Sequence, residues 1–313
     1  MQLNLAKRWP NWPTNNLAWW HFAILVSGIY LFFFYLFPLS LANNERIYRY
    51  AQLLTGPTFI LLISALIISF LLLWSLLNSA PKISTKNALI FIAICAIPFL
   101  FVYPGDSADT FANIWYAKRV VDLGENPYVT SYVYETYQDI QTVLPPTSDS
   151  PLLPYGPLWL GFQSSIYFVT KSLSLIPMLF TFKLIQLTGV LLTAFFCTKL
   201  GSLFAKPDQA NIVTTVVFAS PFMLLGFVGN GHSDIWLALC LVISFYLLFK
   251  ERILLGLFMF TASVLVKYIS LIFAPFIILY LWHRYRRGVL NDLAVWGVFS
   301  SFVGLLFASS WHH

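Results

Sequence analysis

Residues 53–77 read LLTGPTFILLISALIISFLLLWSLL, twenty-five residues without one charged side chain. A bilayer's hydrocarbon core is about 30 Å thick and takes about 20 apolar residues of helix to cross. This run meets that length, and comparable runs recur at 17–41, 175–198, 211–228 and 289–310. Composition agrees, at 59% hydrophobic, 10% charged and mean hydropathy +0.76, far from the about 45–50% apolar and about 25% charged residues of soluble domains. Alternation at every second residue is absent, which favours helices over a barrel. The expected fold is all-α, a polytopic membrane helical bundle forming one domain over 1–313.

The net charge of +6 is informative by location, because Lys and Arg beside spans are retained in the cytoplasm. Nucleic acid is not implied; the surrounding partners are membrane lipids. Lys7 and Arg8 precede the first run and Lys82 and Lys86 follow the second. A third, shorter span at 87–103 then carries residues 104–153 outside, with Arg46 and Arg49 of the first outer loop as the counter-argument. That outer segment and its exit hold seven of the twelve acidic residues: Asp106, Asp109, Asp122, Glu125, Glu135, Asp139 and Asp149. Within it, Phe111, Ile114, Trp115 and Val121 recur at helical spacing, with Lys118, Arg119 and Asp122 as the polar set. This predicts a juxtamembrane helix on the outer surface, ended by Gly124 and Pro127. From Val129 to Pro145-Pro146 no period is sustained, which predicts a loop, and ordered loops of that length are commonly functional.

Three crossings at 154–170, 175–198 and 211–228 would conflict with Lys199 and Lys206 as cytoplasmic markers. A re-entrant helix at 154–170, with Pro154 and Pro157, resolves the parity, since broken backbone at membrane depth is tolerated where it lines protein or a cavity. Residues 253–282 lie between Lys250/Arg252 and Arg284/Arg286/Arg287, so two short helices broken near Lys267 to Pro275 are expected. Lys171 and Lys183 read as snorkelling side chains. Cys95, Cys197 and Cys240 lie in apolar runs without metal-ligand spacing and read as small buried hydrophobes. The N-terminal run lacks a small-residue cleavage site and reads as a retained helix.

Three places could carry chemistry. Asp109, just past a span, is a candidate general base for a hydroxyl, with Asp106 as partner or substitute; the other reading is a pair of solvated loop acids. No His accompanies them, so a metal is not expected. Gly229-Asn-Gly-His-Ser-Asp234 places His232 and Asp234 at the start of an apolar helix, where ionisable groups are costly and an anion is favoured; a plain turn with Ser233 or Asp234 as cap is the alternative. Lys267, in Val264-Leu-Val-Lys-Tyr-Ile-Ser270, needs an anion, and a lipid-linked phosphate would serve.

In this order, Asp109, Trp115, Gly124-Glu-Asn-Pro-Tyr128, Pro154-Tyr-Gly-Pro-Leu-Trp159, Gly231-His-Ser-Asp234 and Val266-Lys267, the chain resembles the polytopic GT-C glycosyltransferases. It is most similar to the bacterial polyprenyl-phosphomannose-dependent α-1,6-mannosyltransferases. The resemblance implies a multi-pass protein of the bacterial inner membrane with an extracytoplasmic active site and no cofactor. It implies a polyprenyl-phosphate sugar donor, a glycan or lipid acceptor and inversion at the anomeric carbon. Asp109, with Asp106, is then the expected catalytic base, and Lys267, His232, Asp234, Tyr128 and Tyr155 are the expected substrate-binding residues. Mannose comes from the resemblance alone. Such enzymes continue for several further spans, so a C-terminally short or truncated chain is expected. A lipid-linked sugar flippase or other transporter is the alternative, since broken helices with charges also mark transporter sites, and a structural partner subunit is the third reading.

Overall fold

The computed structural model describes residues 19–40, 56–79, 82–105, 109–129 and 153–309. They form an all-α bundle: α1 (Trp19–Leu36), α2 (Gly56–Ser79), α3 (Thr85–Leu100), α4 (Asp109–Leu123), α5 (Pro157–Thr170), α6 (Leu175–Gly201) and α7 (Pro207–Phe218). The short α8 (Pro221–Met223) runs into a π-helical turn, Leu224–Gly229, and is followed by α9 (Asp234–Phe249) and α10 (Ile253–Val266). After a 3-10 segment, Tyr268–Phe273, come α11 (Ala274–Tyr285) and α12 (Leu290–Ser309). The expected outer loop at 130–152 and Asp106 lie outside the described residues.

Among the described residues, four stretches are long and apolar enough to span a bilayer: α1, α2, α6 and Tyr268–Tyr285. Ile60, Ile67, Leu71 and Trp74 of α2 are exposed, a surface that water would penalise and lipid accepts. The protein is a membrane protein. Lipid tails are as apolar as the side chains they replace, so helices in a bilayer are held by polar pairs and close backbone approach. Both occur. The Tyr30 hydroxyl of α1 donates to Ala219 O (2.8 Å), Asn211 Nδ2 of α7 donates to Ile83 O (2.7 Å), and Ser244 Oγ of α9 donates to Gly256 O of α10 (2.7 Å).

The expected break in 253–282 falls at Lys267, whose extended backbone (φ −156°, ψ 125°) separates α10 from the 3-10 segment. At 154–170, where a partial or re-entrant helix is expected, the chain is helical without a break. Here α5 is one unbroken fourteen-residue helix that starts at Pro157, because a proline in the first turn lacks only an N–H that would have no partner there anyway. The sharp bend comes later, where α7 meets Pro221–Gly229 at 57°. Ser220 caps the new start by accepting from Met223 N–H (3.4 Å).

The helix expected on the outer surface exists as α4 and stops at Gly124, which takes φ +67°. Its polar face is not bare. Arg119 is fully buried, its Nε donating to Glu125 (2.8 Å) and its guanidinium 4.8 Å from the Trp115 ring centre. Elsewhere on α4 the polar residues are met by α5, which packs along it. Trp159 of α5 donates to Asn113 (3.1 Å), and the Tyr167 hydroxyl donates to Asp122 (2.7 Å). Lys171 also reaches Asp122, at 3.2 Å.

Candidate active site

The end of α3 leads the chain to Asp109, the first residue of α4. The π-helical turn leads it to Gly231, whose φ of +71° favours glycine; a side chain there would overlap the Thr110 hydroxyl. The next residue, His232, places its Nδ1 2.6 Å from Asp109 Oδ2. Two residues on, Asp234 opens α9 and takes a hydrogen bond from Lys267 Nζ at 2.7 Å. Two ion pairs thus stand side by side at the mouth of the bundle. Their side chains are 25% (His232), 35% (Asp109), 30% (Lys267) and 39% (Asp234) exposed, so both pairs are open to a ligand.

Tyr155 joins them. Lys267 Nζ lies 5.5 Å from its ring centre, and its hydroxyl acts on the Asp109 carboxylate. The Tyr128 hydroxyl donates to Tyr155 O (3.0 Å), which ties the Gly124–Tyr128 segment to the start of α5. The same start is pressed against α10, where Gly156 N–H donates to Val266 O (2.9 Å) and a side chain on Gly156 would strike the Leu265 carbonyl. That close approach sets Lys267 beside Tyr155.

The electrostatics follow from these contacts. The His232 hydrogen bond, against the opposing effect of burial, holds the Asp109 carboxyl below the usual carboxylate range, with the charges of His232 and Lys267 and the Tyr155 hydroxyl adding to it. Burial, reinforced by Asp109 and Asp234, pushes the Tyr155 phenol up, and burial does the same to Tyr128. Asp109 is therefore ionised at neutral pH, while both phenols keep their protons. Among the described residues, no three His, Cys, Asp or Glu side chains converge as metal ligands would.

Six of the seven expected site residues, Asp109, Lys267, His232, Asp234, Tyr128 and Tyr155, are brought together; Asp106 is outside the described residues. Ser233 precedes α9 without a side-chain capping bond, so the Gly231–Asp234 turn is not a simple cap. Lys183 overturns its expectation. It does not snorkel but is fully buried in α6, with Nζ donating to the carbonyls of Phe99, Val228 and Gly229. Nothing in its local sequence signals this, because its partners are backbone groups some 45 and 84 residues away.

No curated protein and no solved structure matches the chain. The model of a protein family does, under the description α-(1→6)-mannopyranosyltransferase, N-terminal domain, over residues 40–283. That match covers more than half of the 313 residues and contains both ion pairs and both tyrosines. The chain belongs to the α-(1→6)-mannopyranosyltransferase family and is a membrane glycosyltransferase.

Proposed function

We propose that the protein transfers mannose from a polyprenyl-phosphate donor to an extracytoplasmic glycan or lipid acceptor, with inversion, and that Asp109 is the base. The observation that carries the reading is the juxtaposition of the Asp109–His232 and Asp234–Lys267 pairs. One offers a proton acceptor and the other a cation. The acceptor hydroxyl gives its proton to Asp109 as its oxygen bonds to the anomeric carbon. The bond from that carbon to the phosphate oxygen breaks, and the phosphate leaves with the electron pair.

An ionised carboxylate fixed by His232 suits the first task. The second needs positive charge where the leaving group gathers negative charge, which is commonly a large catalytic contribution. Lys267 carries three N–H donors and gives one to Asp234, which holds the ammonium ready for a phosphate. The first turn of α9, opening at Asp234, adds the positive end of its helix dipole. Tyr128 and Tyr155 keep their protons and use them to hold Tyr155 O and the Asp109 carboxylate in place beside the sugar. The outward direction of the site is supported by Lys82 just before α3 and Lys86 in its first turn, since the other end of α3 leads to Asp109.

The test is transfer of radiolabelled mannose from polyprenyl-phosphate mannose in membranes carrying the chain, beside Asp109→Asn at equal expression. Product from the parent and none from the variant is expected. Equal product from both would remove Asp109 as base. No product from the parent with this donor, but product from a nucleotide-sugar donor, would overturn the lipid donor.

A further inference from the structure

The turn before His232 faces a problem of unpaired backbone. A helix leaves its last carbonyls without partners, and at membrane depth no water replaces them. The π-helical turn ends at Gly229, and the carbonyls of its last two residues and of the two that follow are all taken by side chains. Lys183 donates to Gly229 O and Val228 O, the Thr110 hydroxyl donates to Asn230 O, and Gln186 Nε2 donates to Gly231 O (3.1 Å). Lys183 and Gln186 are three apart on α6, hence on one face. Gln186 Oε1 also accepts from Trp236 of α9 (3.0 Å), and Thr110 is the residue after Asp109.

The clamp therefore grips both partners of the pair, with the lysine as its deepest point. It also joins the end of α3 to the turn, because its third bond goes to Phe99 O (3.3 Å). We propose that Lys183 is a positioning residue for the transfer reaction. Its ammonium fixes the Gly229–Gly231 backbone, and so sets His232 against Asp109. The proposal rests on the reading of Asp109 as the base.

Two readouts test it on the purified full chain. The first is hydrogen exchange of the amides of Asn230 and His232, which donate to Leu225 O (2.7 Å) and Gly226 O (3.3 Å). In Lys183→Met they exchange at least about tenfold faster, with α1, α2 and α10 unchanged. This arm needs no substrate, so it stands apart from whether mannose is transferred. The second is mannose transfer. Lys183→Met lowers kcat by about five- to tenfold, no more than loss of the histidine it positions, with KM for the donor within about twofold. In a His232→Phe background the same change costs less than about threefold, because the residue it acts through is gone.

Unchanged exchange at residues 230–232, exchange rising equally in all helices, or the same loss of kcat in both backgrounds would overturn the proposal. Should Lys183→Met fail to yield a monodisperse protein, Lys183→Gln, which keeps two N–H donors, carries the same comparison. Failure of both to fold would make Lys183 a general structural residue instead. A parent that transfers no mannose while the 230–232 amides respond would reject the donor and keep the clamp.

Discussion

Lys183 and Lys267 sit in apolar sequence of much the same character, yet the fold gives them opposite surroundings. Lys183 lies within the uninterrupted α6, so its side chain leaves sideways into neighbouring backbone and closes on three carbonyls with no exposure. Lys267 lies at a break, and its extended backbone lets Nζ reach a carboxylate at the start of α9 while 30% of the side chain stays open. A cation closed on backbone holds shape. A cation with one carboxylate and an open side can receive a ligand. Arg119, fully buried on Glu125, belongs to the first kind, and Asp109 with His232 to the second. If the contrast is right, charges of the closed kind act on fold and position, and charges of the open kind act on rate with far less effect on stability.

The strongest way to break it is Asp109→Asn. A lost general base costs about 10²–10⁴-fold, so a fall of about 10³-fold in kcat is expected, with the melting temperature lowered far less than by Glu125→Ala. Initial rates and a thermal melt on the same preparation check this; a lowered melt with the rate kept would reverse the contrast. Glu125→Ala tests the closed kind. It leaves the Arg119 guanidinium buried without its carboxylate, and breaking a buried pair from one side costs about 3 kcal/mol or more. Adding Arg119→Met should return part of that loss, since neither charge then remains. Reversible denaturation of the single and double variants measures it. Lys267→Met removes the cation facing the proposed leaving group, and losing one such donor costs about 10²-fold in kcat. The melt should stay at the parent value.

Much of this was legible in the sequence, and the limit has a physical cause. The charge-free run at 53–77 named the membrane, and the lone Lys267 between two basic clusters named the break in 253–282. The ordered motifs singled out Asp109, His232, Asp234 and Lys267 as site residues, but the pairing of Asp109 with His232 and of Asp234 with Lys267 is given by the fold alone. Periodicity, by contrast, gives the faces of one helix and not the neighbour that covers each. Arg119 looked exposed because α4 read alone has a polar face, but it closes on Glu125 and Trp115. Lys183 looked like a snorkelling side chain because its partners are backbone carbonyls, which carry no residue identity for a sequence to display. The bend between α7 and α8 is not signalled, because residues 211–228 read as a single apolar crossing. Pro157 merely starts a helix, whereas the Ser220-Pro221 break falls inside a continuous apolar run.

The smallest expected effect is the most discriminating, because it separates the two members of one open pair. His232 is the largest influence holding Asp109 below the carboxylate range, and burial works against it. A carboxyl whose folded pKa is depressed contributes stability that is present above its unfolded value of about 3.9 and lost as pH falls through the folded one. In His232→Phe the hydrogen bond and the charge disappear while the desolvation remains, so the Asp109 pKa climbs. Orientation is lost, but the carboxylate becomes a stronger base, and the two effects oppose each other. The net loss in kcat/KM at neutral pH should be about tenfold, well below that of Asp109→Asn. The acid limb of the kcat/KM profile should move to higher pH, so the gap between parent and variant widens as pH falls and narrows as it rises. A pH profile of both proteins decides the matter. An acid limb that stays in place with the tenfold loss intact would mean that His232 aims the carboxylate without setting its charge. A limb that moves without loss of rate at neutral pH would mean that Tyr155 and Lys267 aim it, and that the histidine belongs with the sugar.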